Sequence, residues 1–159
     1  MTNLATLIEK DLNRMIRMLA TALAEQWHKG QKYGEHDYFQ YHILGVASSL
    51  ILHGASHEAV IVGLLHDILE DTQIELTAIE TTFGSTIASA VVAVNKRKGE
   101  KRDAYLLRCS KNPIALEVKM HDAMFNAAEC FKDRDMKRYA YYMDTLKILG
   151  EANAPVVYS

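Results

Sequence analysis

The sequence has two cysteines, Cys109 and Cys130, in 159 residues. That is far too few for a disulfide framework, and no C-x-x-C spacing offers a thiolate metal site. Proline is equally scarce. Pro113 and Pro155 are the two, and neither interrupts an apolar pattern, so nothing forbids long helices. Basic charge is not in excess: the net charge is −2, which argues against a global field for nucleic acid or an anionic membrane. No apolar run approaches the roughly 18 residues that would cross a bilayer. Glu9, Asp11, Arg14 and Arg17 interrupt the N-terminal apolar residues, unlike a signal peptide. These absences lead to the expectation of a cytoplasmic protein with neither a membrane nor a nucleic-acid partner. Repeats and low-complexity tracts are also lacking.

What is present is apolar periodicity. Hydrophobic residues make up 49% of the chain and charged ones 24%, which suits one domain with a real core. The expected boundaries are 1–152 for the domain and 153–159 for a loose tail. Leu4, Leu12, Ile16, Leu19, Leu23 and Trp27 recur at helical spacing over 4–28. Gly30 and Gly34 punctuate a loop. A second helix is expected from about Phe39 to His53, stopped by Gly54, and Ser56 can cap a third. Thr72-Gln73-Ile74-Glu75 has the form of a capping box, so a new helix is expected immediately after Asp71. Gly84 should end it, with another helix over about 85–96 and a shorter one over 100–110. Asn112-Pro113 reads as an N-cap and first helical residue for a helix to about Cys130. Asp133 or Asp135 starts the last helix, which ends near Gly150. No stretch alternates with a period of two, so the fold class expected is all-α, a compact helical bundle.

Within the third helix, Leu64–Thr72 reads LLHDILEDT and places four ionisable groups at the end of an apolar run. With His66 at zero on a helical wheel, Glu70, Asp67 and Asp71 fall near about 40°, 100° and 140°, on one side. One turn earlier the helix is apolar all round, which marks a buried element. Burying unpaired carboxylates costs several kcal/mol or forces their neutralisation, and residues 56–80 contain no Lys or Arg. A divalent cation is the economical compensator. Histidine with carboxylates suits a first-row metal such as Mn²⁺, Fe²⁺ or Zn²⁺ better than Ca²⁺. One helix does not complete such a site. The further candidates are His28, His42, His53, His57, His121 and Asp122.

These segments together resemble the HD-domain hydrolases of the RelA/SpoT type, which remove the 3′-pyrophosphate of (p)ppGpp. The resemblance runs from about residue 20 to 130. It rests on HKGQ at His28–Gln31, YHILGVA at Tyr41–Ala47, LLHDILEDT at Leu64–Thr72, FG at Phe83–Gly84 and VKMHDAMFN at Val118–Asn126. It implies a compact helical HD domain in which His42, His66, Asp67 and Asp122 ligate a metal, usually Mn²⁺. Glu70 and Asp71 would match the acidic pair that orients and deprotonates the attacking water, and Asn126 a contact to the substrate ribose. Lys119, three residues before Asp122, could bind phosphate or pair with Asp122. Lys32, Tyr33 and Lys96 complete the expected substrate-binding set. Tyr33 could stack on a base or pack within its loop.

The chain departs from the family pattern in its loop. The Arg-Lys pair that helps hold guanine is not matched, Ile43 follows His42 where proline is usual, and Asn95-Lys96 stands for Thr-Lys. The function expected is hydrolysis of a small nucleotide, first (p)ppGpp. The alternatives are a phosphatase or nucleotidase acting on a nucleoside monophosphate or NADPH, and a non-catalytic nucleotide-sensing module. Exposed apolar helix faces leave a homo-oligomer open.

Overall fold

The computed structural model describes residues 3–153. Helices dominate: α1 (Leu4–Trp27), α2 (Leu44–Leu52), α3 (His57–Leu65), α4 (Ile68–Asp71), α5 (Leu76–Val94), α6 (Arg102–Ser110), α7 (Pro113–Lys132) and α8 (Met136–Ala152). Several helix starts follow from local chemistry. Ser56 Oγ accepts from Ala59 N–H, Asn112 Oδ1 from Ala115 N–H, and Asp135 Oδ1 from Arg138 N–H. Each satisfies a backbone donor that the first helical turn leaves free. The expected tail lies, beyond Asn153, outside the described residues.

Four elements differ from expectation. The loop after α1 contains a two-stranded antiparallel hairpin, β1 (Lys32–Tyr33) and β2 (His36–Asp37). Strands of two residues are too short for alternation to show in sequence. The second helix opens with a wider π-type turn, Phe39–Ile43, before α2. The third helix does not run through the ionisable cluster. It ends at Leu65, Asp67 leaves helical geometry (φ −106°, ψ 3°), and α4 is a single turn. His66 Nδ1 lies 2.7 Å from the Gly63 carbonyl and competes for the acceptor that a continuing helix would offer Asp67 N–H. The capping box does not form either. Thr72 Oγ1 donates back to the Ile68 carbonyl at 2.5 Å, closing α4, and α5 starts after Glu75.

α5 also qualifies the membrane expectation. By length and composition alone it is apolar enough to cross a bilayer. It is broken at Gly84 (φ 85°, ψ 168°), and it packs on α3, α6 and α7. Ile79, Ile87, Ala90 and Val91 are buried there, as in any apolar helix of a folded core.

α3 is the central element, buried along its length from Ala59 to Leu65 and packed by α1, α2, α5 and α7. Two glycines permit the close approaches. A side chain at Gly63 would collide with Leu50 of α2, and one at Gly45 with the ring of Phe125 on α7. The second approach matters for function, because it brings α7, with Asp122, against the segment that carries His42.

Candidate active site

Three separate segments converge. The π-type turn delivers His42, the α3–α4 junction delivers His66 and Asp67, and the middle of α7 delivers Asp122. His42 Nε2 and His66 Nε2 are 3.1 Å apart. Asp67 Oδ2 lies 3.4 Å from His42 Nε2 and 3.1 Å from His66 Nε2. Asp122 Oδ1 lies 3.3 Å and 3.8 Å from the same two nitrogens. The ligand atoms of His42, His66 and Asp122 all fall within 4.8 Å of one another, and the three residues are buried.

This geometry suits a divalent cation. Gly63 O can only accept, so His66 Nδ1 carries a proton, and Nε2 is the nitrogen whose lone pair an ion would take. Lone pairs facing one another need a positive charge between them. Donor atoms about 3 Å apart are what bonds of about 2.1 Å from one ion require. Without an ion, a proton on His42 can do the same work. Burial opposes the charged ring, but hydrogen bonds and charge from Asp122 and Asp67 outweigh it and raise His42 to about 9.

The carboxylates divide into two kinds. Burial would raise both Asp67 and Asp122. The charges and hydrogen bonds of the His66 and His42 rings instead hold Asp67 well below its ordinary value, and Lys119 with His42 does so for Asp122. Glu70 and Asp71 shift the other way, raised mainly by burial and further by the Asp67 charge. Neighbouring carboxylates with opposite shifts are the usual mark of divided acid–base roles.

Supporting contacts fix these groups. Tyr38 Oη donates to Asp67 Oδ2 at 2.5 Å and lies 3.5 Å from Asp71 Oδ2. Gln31 Nε2 donates to the Asp71 carbonyl at 2.9 Å, while Gln31 Oε1 meets His28 Nδ1 at 2.8 Å. Asn95 Oδ1 accepts from Glu70 N–H at 3.0 Å, and Glu70 Oε2 accepts from Lys96 N–H at 3.2 Å. Lys119 Nζ pairs with Asp122 Oδ2 at 2.7 Å, and Asn126 Nδ2 donates to Asp122 Oδ1 at 2.6 Å.

The cluster opens into a cavity of about 460 Å³. Asp67, Glu70 and Asp71 line it, and Lys96, Arg102, Lys119 and Arg138 supply positive charge to its wall. Of the expected substrate-binding residues, Tyr33, Lys96, Lys119 and Asn126 reach this cavity. Lys32 does not. It lines an adjoining cavity that shares Tyr33 and Arg138 with the first. Tyr33 stacks on His42, with ring centres 5.2 Å apart and planes 10° apart, and donates to Asn126 Oδ1 at 2.8 Å. Among the additional ligand candidates, His42 and Asp122 join the His66–Asp67 pair. His28 is buried against Tyr38, His121 Nδ1 meets Ser49 Oγ at 2.7 Å, and His53 Nδ1 meets the Ser49 carbonyl at 2.8 Å. His57 borders a groove beside α1.

Residues missed by sequence reasoning include Tyr38 and the α8 side of the cavity: Arg138, Tyr141, Tyr142 and Thr145. The α8 set had a visible signal, since its i, i+3, i+4, i+7 spacing puts it on one helix face. Tyr38 had none. Its role depends on a contact 29 residues away in sequence.

Fold and site together define a class: an all-helical protein in which histidines and aspartates from distant helices form one buried cluster. A family model described as an HD domain matches residues 20–124, and the chain belongs to the HD-domain family. Among curated proteins it is similar to the guanosine-3′,5′-bis(diphosphate) 3′-pyrophosphohydrolase of Aquifex aeolicus, 28% identical over 158 residues, covering 89% of this chain and 23% of the relative. It is also similar to a GTP pyrophosphokinase of Streptomyces coelicolor, 33% identical over 116 residues, covering 67% of this chain and 14% of the relative. The chain thus spans less than a quarter of the length of these relatives. A solved structure of a metazoan ortholog of SpoT superposes with a TM-score of 0.70, covering 86% of this chain and 84% of the other at 20% identity. At that identity the likeness concerns the fold.

Proposed function

We propose that the chain is a metal-dependent phosphohydrolase of small nucleotides, with (p)ppGpp as the first substrate and its 3′-pyrophosphate as the group removed. One observation carries this reading. The Nε2 atoms of His42 and His66 lie 3.1 Å apart, and each lies 3.1–3.8 Å from an oxygen of both Asp67 and Asp122, beside two acids that burial pushes up. The names of the curated relatives support the substrate class.

In this reading His42, His66, Asp67 and Asp122 hold a first-row divalent ion, Mn²⁺ in the first instance. Such an ion supplies Lewis acidity, easing deprotonation of water and polarising a phosphoryl oxygen. Glu70 accepts the proton of the attacking water and Asp71 orients that water. Lys96, Arg102 and Arg138 balance phosphate charge as it builds in the transition state. Lys119 serves first to neutralise Asp122, its partner at 2.7 Å. Asn126 holds Asp122 and meets the ribose once Tyr33 yields its hydrogen bond. Lys32 acts on a substrate long enough to pass Tyr33 into the adjoining cavity.

The loop lacks the family's Arg, and Tyr33 is engaged with His42 and Asn126, so guanine is not the only base to test. NADPH and nucleoside monophosphates therefore belong beside (p)ppGpp in the test. Metal analysis followed by that nucleotide panel, with phosphate and pyrophosphate assayed separately, identifies the bond cut. Pyrophosphate release from (p)ppGpp is the expected result. Nucleotide binding without product in the metal-loaded protein would make it a sensor and overturn the proposal.

A further inference from the structure

Helix α1 has two apolar faces, and the fold uses one of them. Ile16, Ala20, Leu23 and Ala24 belong to or pack against the core, where α1 meets α3 and the π-type turn. On the other side Leu4, Ile8, Leu12, Met15, Met18 and Leu19 are each 48–72% exposed. At 3.6 residues per turn they share a sector roughly 120° wide over about four turns. Glu9, Lys10, Asn13 and Arg17 make the remainder of the N-terminal half polar, so its one apolar stripe is the part left uncovered. An exposed apolar patch this continuous marks an interaction surface.

Charge selects the partner. Asp11 sits inside the stripe and Arg14 on its edge. Neither forms an ion pair among the described residues. We propose that this face pairs with the same face of a second copy of the chain, antiparallel, about a two-fold axis near Leu12. Leu4 then lies opposite Leu19 of the second copy, and Ile8 opposite Met15 of the second copy. Asp11 shares an edge with Arg14 of the second copy, and the two-fold axis repeats the pair. Parallel pairing would set Asp11 against its own copy, so the charge pattern is self-complementary in one direction.

The extent suits a pairing. The six side chains run over about four turns, and the exposed Ile51 of α2 lines the same groove as Met18, so the patch extends beyond one helix, as an interface of roughly 800 Å² per partner requires. A groove of about 270 Å³ between α1 and α2, lined in part by Met18, Leu44, Ile51, Val60 and Leu64, follows the edge of the stripe. It offers a seat for an apolar side chain of the second copy. A lipid surface fits less well, because it would bury Asp11 unpaired within the apolar sector.

Sedimentation velocity of the full chain across a micromolar concentration series tests the pairing. The expected species has twice the 17.9 kDa mass of one chain. Ile8→Glu, on an exposed position, should weaken association by about 30-fold or more while circular dichroism stays unchanged. Asp11→Arg should weaken it by about tenfold, and Asp11→Arg combined with Arg14→Asp should restore it. A wild-type chain that stays monomeric throughout overturns the proposal, as does an Ile8→Glu dimer of unchanged affinity. A monomer that co-sediments with phosphatidylserine vesicles gives the face to lipid. A monomer that dimerises only after deletion of residues 154–159 gives it to the tail. Either result also overturns the pairing.

Discussion

Asp122 and Asp67 face the same two imidazoles, but they arrive by different routes. Asp122 sits in the middle of α7, a regular helix of 20 residues. Its neighbours on that helix serve it directly: Lys119 one turn before pairs with one oxygen, and Asn126 one turn after donates to the other. Asp67 sits where a helix fails. Its side chain is 22% exposed against 5% for Asp122, and its closest hydrogen bond comes from Tyr38, in a different segment. One carboxylate is held by the periodicity of its own helix, the other by tertiary contacts. The first should therefore couple strongly to stability, and the second to the precision of the site.

The largest expected effect is at Asp122. Asp122→Ala should abolish metal binding and also strand Lys119, costing about 3–5 kcal/mol in denaturant unfolding. Asp67→Ala should abolish metal binding with a clearly smaller loss of stability. Equal losses for the two variants would erase the distinction drawn here. Next comes Glu70, on the Asp67 side. Glu70→Gln should retain metal and lower turnover by about 10²–10⁴-fold. Because burial raises its pKa, the folded state disfavours the ionised form, so above the ordinary carboxylate range Glu70 opposes folding. Glu70→Gln should then melt no lower than wild type at neutral pH. Full turnover in this variant would remove Glu70 from its role.

Tyr38→Phe sharpens the contrast at smaller scale. Losing the hydrogen bond to Asp67 should weaken metal affinity by about 10–100-fold with little change in global melting; titration with Mn²⁺ reads it directly. The smallest effect is remote. Arg108 bridges Glu100 to the carbonyls of Val92, Ala93 and Asn95, and so supports the segment that contacts Glu70. The hydrogen bond from Arg108 depresses Glu100 to about 2. Its contribution is present above the ordinary glutamate value and is lost as pH falls toward 2. Melting curves of wild type and Glu100→Gln should differ at pH 7 and converge in acid.

Much of this was legible in the chain. Ser56, Asn112-Pro113 and Asp135 announce helices that form where expected, because a cap and its helix lie within a few residues. LLHDILEDT announced acids at the end of a buried element for the same local reason. The relation of Lys119 to Asp122 followed from a spacing of three. The errors are also informative. The wheel assumed a helix through Asp67, whereas His66 takes the Gly63 carbonyl and breaks it. The capping box assumed that Thr72 caps α5, whereas its Oγ1 donates back to Ile68 and accepts from Ile74 N–H before α5 begins. Each miss turns on a local hydrogen bond that sequence periodicity does not reveal.

By itself, then, the sequence determined most of the helices, the caps at Ser56, Asn112 and Asp135, and which residue types could hold a metal, because those depend on neighbours three or four positions away. The tertiary structure alone decided that His42 and Asp122 reach His66, that Tyr38 holds Asp67, and that α8 walls the cavity. Those contacts join residues 24 or more positions apart, and packing at places such as Gly45 against Phe125, rather than any local pattern, sets their distance.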